Sequence, residues 1–561
     1  MTRIAESVMK NFAALFQTNR ARRARPTQSR WASGPAEILE VRKLPTIITV
    51  DTNLDVVQAD NRTSMREAIT FANNNLGADT IVIAPELAGR VFQMSLDRGF
   101  GAFQITDDLT LNGVPDNLNT RADERVTFDG RGLDFLVGTP FFAVNDGNVS
   151  RDINVVISDL NLAHGSTRGT PGGAITNQEN LTLNRVNFTG NASVVDLTFL
   201  RSGSIDPVGG AIANYGILNV AGCTFTANTA PKAGGAIYNA GLLNISNSSF
   251  YYNGTTADGG AIYNGATGVA TIRHTVIAGN TAGETGAGID NRGSMRLENS
   301  QVNANRLNSA IGGAGIYNDY GANAVIRDSE ITRNLLVPIR SGIGGAGILT
   351  YGNLEVGSSV IAGNCVTVPS EDGLLKGGGI NVQAGFVTVT NILFDSNFAR
   401  QGGAIHVENG TARVESSRFI RNSSENRFGG NNFFSPDTRE GAGSAWSTSN
   451  GGLTLVAPYF ENNFVTAAGG DFGNSRVSRV ANQQPQGYVT IIPATPTSGT
   501  TTPSGSQVAT GTNSLPRTTV NSLPRTSVDT TVGGRVNTAA NRTTSAGFTG
   551  TDATNSGRRL R

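Results

Sequence analysis

The sequence has little of what builds a chemical centre. It holds three histidines, His164, His274 and His406, and two cysteines, Cys223 and Cys365. They do not cluster, so a zinc site of Cys/His spacing is not expected. The two cysteines lie five coils apart in the repeat described below, about 24 Å at about 4.8 Å per coil, which is too far for a disulfide. No run of apolar residues is long enough for a transmembrane helix. Charged residues make up 16% of the chain and aromatic residues 7%. No nucleophile motif or phosphate loop is present. Polysaccharide cleavage needs carboxylates gathered on one face, as paired acid and base or as calcium ligands. The charges on the strands (Glu298, Arg327, Asp328, Glu330, Glu415, Arg418) are scattered instead, and the nearest thing to a pair is Asp258 with Glu284. No catalytic residue, metal, cofactor or nucleic-acid partner is expected.

Glycine is what the chain has in excess: 70 of 561 residues, against an average of roughly 7%. It is also periodic. Ten times an apolar residue stands three places before an Asn, from Phe188–Asn191 through Phe225–Asn228 and Phe250–Asn253 to Phe460–Asn463. Nine times in step with it comes a Gly cluster leading into Ile: GGAI at Gly172, Gly209, Gly234, Gly259 and Gly402, GAGI at Gly286, Gly313 and Gly345, and GGGI at Gly377. The spacing has a floor of 25 residues, and a period in this range marks a solenoid.

Aligned on the Phe position, the repeats show columns. Apolar residues stand seven and five places earlier (Leu218 and Val220, Leu243 and Ile245, Met295 and Leu297) with polar residues dominating between them. That is the two-residue period of a strand. The alternation then slips by one residue, which predicts a corner. A small column follows (Cys223, Ser248, Thr275, Ser300), then the inward Phe position, the Asn, a turn, and the Gly-Gly-Ala-Ile run as a third strand. Three strands and three corners per coil predict an all-β, right-handed parallel β-helix. Stacked Asn residues can bond one another along the axis, and Asn and Gly tolerate the positive φ of sharp corners. A second Asn column runs through Asn177, Asn214, Asn239, Asn264, Asn291 and Asn318.

The organisation reads in four parts. Residues 1–45 are basic and flexible, with nine Lys/Arg against three acids. Residues 46–84 form an N-terminal cap. Within it, Ser64 and Glu67 make a capping box, and Met65, Ala68, Ile69 and Ala72 an apolar helical stripe. Such a helix would cover the open end of the solenoid, otherwise a raw β edge. Residues 85–475 are the β-helix; its irregular early coils carry strand candidates at 109–111, 126–130 and 155–162, and its last coils hold a long insertion with the solitary Trp446. Residues 476–561, Thr-, Ser-, Pro- and Arg-rich with NSLPRT at 513 and 521, are expected to be disordered. They contain no alternating strands of the kind that make a membrane barrel. The charge is separated, +6 at the front and +7 in the tail; with a total of +1, residues 46–475 carry 1 − 13 = −12.

Three resemblances follow from these residues. Leu39, Glu40, Arg42 and Leu44 resemble the Leu-Glu-Pro-Arg-type motif near the start of exported bacterial proteins, which implies export. Ser64, Arg66, Glu67 and Ala68 resemble the Cys-Ser-Leu-Arg-Glu-Ala domain that precedes β-helices in bacterial surface proteins, with Thr63 in place of Cys and Met65 in place of Leu. GGAI with F-x-x-N in phase over roughly 172–463 resembles the repeat of the polymorphic outer-membrane proteins, β-helical adhesins and autotransporters. That resemblance implies surface display, at the outer membrane or outside the cell, although the family's C-terminal barrel has no counterpart here.

The candidate binding residues come from the column between the inward Ile and the second Asn, which is expected to point outward. Tyr238, Tyr263 and Tyr317 around Asp290 would make an aromatic strip along one face. Aromatic faces stack on sugar rings and Asp accepts sugar hydroxyls, so the expected ligand is a glycan, or a cell-surface protein. The bland alternative is that the tyrosines only brace neighbouring coils. The function expected is a non-catalytic surface adhesin or structural module; the alternative is a β-helical polysaccharide lyase or glycoside hydrolase.

Overall fold

The computed structural model describes residues 45–492, apart from 76, 94–100, 118–122, 132–139, 149, 196–206, 310, 338–342, 368–375, 427–444 and 468–488. The export-type motif at 39–44 and the NSLPRT segments lie outside the described residues, as does most of the two expected flexible termini.

The chain winds into a parallel β-solenoid. One regular coil shows how. Leu242–Ser246 lies in the first sheet, Ser249–Tyr251 in the second, Gly254–Thr255 in the third and Ile262–Asn264 in the fourth. The next coil repeats this in register, Leu243 beside Ala270, Phe250 beside Ile277 and Asn264 beside Asn291. The four sheets hold 15, 13, 11 and 12 strands in that order, all joined by parallel neighbours.

The expectation of three strands per coil is therefore corrected to four. The missed strand follows the Asn and is only two residues long in most coils, as at Thr229–Ala230 and Thr281–Ala282. It has one inward residue, so there is no alternation to read. Those inward residues still build something. Ala282, Leu307, Leu336, Val366 and Ala399, with Ala287, Ala314 and Ala346 of the Gly clusters, form a second small core beside the main one.

The corners are made differently from expectation too. The buried Asn column does not supply the positive φ. Between the first and second sheets the left-handed residue is Asn247, His274, Asn299, Asp328 or Ser358, and between the second and third it is the residue just before the Asn, such as Ala227, Tyr252, Ala304 or Arg333. The Asn itself is turned inward and laddered. Asn228 Nδ2 donates to Asn253 Oδ1 at 2.9 Å, Asn253 to Asn280 at 3.0 Å and Asn280 to Asn305 at 2.9 Å. Each of these also donates to the carbonyl of the Phe position one coil back, as Asn253 does to Phe225 at 3.0 Å. The second Asn column forms its own ladder, Asn239 to Asn264 at 2.7 Å and Asn264 to Asn291 at 2.8 Å. Both columns are buried, apart from Asn463 at the end of the first, which is half-buried. The ladders satisfy amide groups that burial would otherwise leave at a cost.

The Gly cluster is required by close approach. At Gly234 φ is +66°, and at Gly235 an added Cβ would sit 2.1 Å from the Gly260 carbonyl oxygen of the next coil. Any side chain there would push successive coils apart.

The helix Met65–Asn74 begins where Ser64 and Glu67 predicted it, with both bonds of the capping box present. Its stripe of Met65, Ala68, Ile69 and Ala72 is part of the main core. Of the early strand candidates, 155–162 is two strands, Asn154–Ser158 and Leu160–Ala163, split at Asp159 with φ +57°. Trp446, read from sequence as part of an insertion, opens the fourth-sheet strand Trp446–Thr448 and pairs with Ile405. One strand, Val489–Ile492, falls inside the segment expected to be tail and pairs with Leu453–Val456. Its apolar run, VTII, is a short exception within Thr/Ser-rich composition.

Candidate functional site

The fourth-sheet strand is three residues long: an inward Ile, a middle residue, and the laddered Asn. Sequence alone makes the middle residue outward. The structure covers it. The chain just before each Gly cluster forms its own line of parallel bridges, Val208 to Ala233 to Asp258 to Thr285 to Gly312. This line runs over the middle column, so closely that a Cβ at Gly259 would lie 2.8 Å from Tyr263 Cβ. Tyr238 and Tyr263 remain half-buried. Asp290 is 0% exposed and Tyr317 8%. The expectation of one open strip through Tyr238, Tyr263, Asp290 and Tyr317 is corrected accordingly.

The column is still a row of chemistry. Tyr238 and Tyr263 stack at 5.4 Å and 8°, Tyr215 closes one end at 5.8 Å from Tyr238, and the Arg292 guanidinium closes the other at 5.0 Å from the Tyr263 ring. Because the rings stack along the solenoid axis, their faces are spent on each other. Ring edges are what remain for a partner. Burial pushes the Tyr215 and Tyr263 hydroxyls up to about 12, so they stay neutral and act as donors and acceptors.

Asp290 is the buried end of a shared charge. Its carboxylate accepts from the Thr285 hydroxyl and from Arg292 Nε at 3.2 Å. Arg292 also pairs with Asp258 at 2.6 Å and lies 3.8 Å from Asp319. Three carboxylates divide one guanidinium. Burial, which outweighs the attraction of Arg292, pushes the Asp290 carboxyl up to about 7. Tyr317 donates to Asp319 at 3.0 Å and stands edge-on to Tyr351 at 6.0 Å.

Sequence reasoning missed the residues one or two places after the second Asn, where the chain turns into the first sheet. Tyr215, Arg292, Tyr320 and Tyr351 stand there. Tyr215 is 40% exposed and Tyr320 68%, and Tyr320 packs on Tyr351 at 4.5 Å. The signal was in the sequence: Asn214-Tyr215, Asn291-Arg292 and Thr350-Tyr351 share one position in the repeat.

The carboxylate pair considered for catalysis does not form. Asp258 bridges to Thr285, one residue out of step with Glu284, and its partner is Arg292. A different constellation appears near the C-terminal coils. His406 Nδ1 meets Ser447 Oγ at 2.7 Å, and His406 Nε2 meets Glu408 at 2.7 Å. Lys376 Nζ reaches the same Glu408 at 2.5 Å. The hydrogen bond from His406, aided by Lys376, pulls the Glu408 carboxyl down to about 2. The order Ser–His–Glu has the connectivity of a hydrolytic relay. Its placement does not, because His406 is 0% and Ser447 4% exposed and a Cβ at Gly402 would lie 2.7 Å from Ser447 Oγ. With Lys376, the cluster joins three successive coils. No group of three or more His, Cys, Asp and Glu able to hold a metal occurs among the described residues, and neither free cysteine is paired with the other.

No curated protein matches the chain. Among solved structures, tailspike protein 3 of bacteriophage CBA120 is similar at 10% identity and a TM-score of 0.33, over 79% of this chain and 61% of the tailspike. The chain thus spans less than two thirds of that protein. The model of the Chlamydia polymorphic membrane protein repeat matches residues 222–240 and 391–408. Each match holds one F-x-x-N and one GGAI in phase. The chain therefore carries the Chlamydia polymorphic membrane protein repeat, wound into a parallel β-solenoid.

Proposed function

We propose that this chain is an exported surface adhesin, a right-handed solenoid without catalytic activity that binds a partner along its side. The hand follows the general rule for parallel strands joined by crossovers. The helix Met65–Asn74 serves as its end cap, shielding the first coil from edge-to-edge association. Surface display is suggested by the repeat, which belongs to a membrane-associated family.

The observation that carries the binding reading is a row that joins the fourth-sheet strands to the turn into the first sheet: Tyr238 and Tyr263 on the strands in contact with Tyr215 and Arg292 at the turn, then Tyr320 on Tyr351. Tyrosine and arginine are the residue types that carry most binding energy at interfaces, and this row presents them from successive coils on a rigid frame. The row supports side-on recognition of a glycan or a cell-surface protein.

Three measurements test this reading. External protease applied to intact cells removes the chain if it is displayed, and leaves it intact if it is internal. Labelled chain binds target cells, and Tyr215→Ser with Tyr351→Ser weakens that binding; unchanged binding would remove the row from the site. Incubation with anionic and neutral polysaccharides yields no new reducing ends or unsaturated products. Their appearance would establish the enzymatic alternative.

A further inference from the structure

A groove lies on the outer face of the first sheet, between Asn323–Arg327, Asn353–Gly357 and Phe386–Thr390. Its volume is about 300 Å³, and Asn323, Val325, Asn353, Glu355, Phe386 and Thr388 line it. Its chemistry is of one kind. Asn353 donates its side-chain amide to Asn323 Oδ1 at 3.0 Å and accepts from the Phe386 backbone N–H at 3.3 Å. The Asn323 amide nitrogen donates to no described protein group. The Phe386 ring, 73% exposed, is the most open large aromatic side chain among the described residues. Neither its backbone nor the core requires a ring there, because the equivalent place in other coils is held by Asn323, Asn353 or Thr411.

The charge is balanced. Glu355 is the only ionisable group lining the groove, and it is paired with Arg327 of the preceding coil. An anionic ligand would meet that carboxylate, and a cationic one would have to displace the guanidinium. A free ring face, a row of carboxamides, a hydroxyl and a paired carboxylate match a ligand with apolar C–H faces and many neutral hydroxyls. The turn leading into these strands carries Tyr320 and Tyr351, so the groove opens beside exposed aromatic surface.

We propose that this groove is a binding site for neutral oligosaccharide, with Phe386 as the stacking platform and Asn323, Asn353 and Thr388 as hydroxyl partners. The proposal deepens the side-on adhesin reading by naming a ligand class, and it rests on residues other than the tyrosine–arginine row.

The test is saturation-transfer NMR on the full chain with chitohexaose, cellohexaose and maltohexaose as probes. At least one of the three receives saturation at its ring protons. Phe386→Ala weakens that binding about tenfold, the loss of roughly one aromatic contact. Asn353→Ala weakens it as well, while Tyr252→Ala, at an exposed corner outside the groove lining, leaves it unchanged. Phe386 is exposed, so the variant keeps the wild-type circular dichroism spectrum. No transfer to any of the three sugars, or wild-type binding by Phe386→Ala, overturns the proposal. Cell binding that persists in Phe386→Ala but fails in Tyr215→Ser sinks the glycan groove and leaves the adhesin reading standing. Sugar binding without cell binding does the reverse.

Discussion

The phenylalanines of the early coils and those of the regular coils solve the same problem in opposite ways. In the early coils Phe92, Phe103, Phe128, Phe141 and Phe142 meet at 4.9 to 6.4 Å with rings tilted or edge-on, up to 82° apart. In the regular coils Phe188, Phe225 and Phe250 lie at 4.6 and 4.5 Å with planes 1° and 2° apart. Aromatic rings left to themselves prefer edge or offset arrangements. Where rings from different sheets meet in the early coils, they reach edge-on arrangements, as Phe103 and Phe128 do. Where the backbone ladder fixes the repeat near 4.8 Å, each ring copies the one below. Register then sets the ring geometry, because breaking it would cost two amide ladders as well as the sheets.

That contrast gives predictions, the largest first. Asn253→Leu in the regular coils removes an acceptor shared by the Asn228 backbone and side-chain N–H groups and a donor to Phe225 and Asn280. It costs several kcal/mol, at about 1–3 kcal/mol per stranded buried group, read as a lower urea midpoint. Asn145 of an early coil, half-buried, bonds Gln178 at 3.0 Å and accepts from the Gly147 N–H at 2.7 Å; it becomes Ala with a smaller change, about 1 kcal/mol.

Phe128→Ile and Phe225→Ile separate the two kinds of packing. The regular column already accepts Ile277 and Ile331, so Phe225→Ile costs about 1.5 kcal/mol or less. Phe128 touches four other rings and loses more, about 3 kcal/mol from cavity and ring contacts together. Equal midpoints for the two variants would refute the distinction.

Two buried carboxylates, one from each region, titrate in opposite senses. In the early coils, burial resists ionisation of Asp107, but the N–H groups of Gly77 and Asp108 and the Arg151 guanidinium overcome it and hold the carboxyl below its ordinary 3.8. Its contribution is present above that value and is lost as pH falls through the lower folded one. Asp290 is raised to about 7, so its contribution is full below 3.8 and is lost as pH rises towards 7. Asp290→Asn therefore raises the melting temperature at pH about 8, and the gain closes at pH about 4. A gain that is the same at both values would count against this assignment.

The smallest effect is at the corners. Ala304 has φ +52°, a conformation that costs a residue with Cβ roughly 1–2 kcal/mol. Ala304→Gly raises stability by up to about 1 kcal/mol, measurable as a small upward shift in midpoint.

Much of this fold is legible in the residues. Leu243, Ile245 and Phe250 mark inward positions, Asn253 and Asn264 mark ladders, and Ser64 with Glu67 marks the helix start, because each rests on a local rule with a period or a motif behind it. The third sheet was hidden since Thr229–Ala230 offers a single inward residue. The site was half legible. Tyr238 and Tyr263 were placed on one column, yet the same rule sent Asp290 and Tyr317 outward, and they are buried.

By itself, the sequence determined the period, the stacking of like on like, and hence the solenoid, since each coil can bury its apolar columns only against its neighbours. Only the tertiary structure decided what is reachable from outside. Alternation says which way a side chain leaves its strand, but not whether another stretch of chain, here the line from Val208 to Gly312, passes over it.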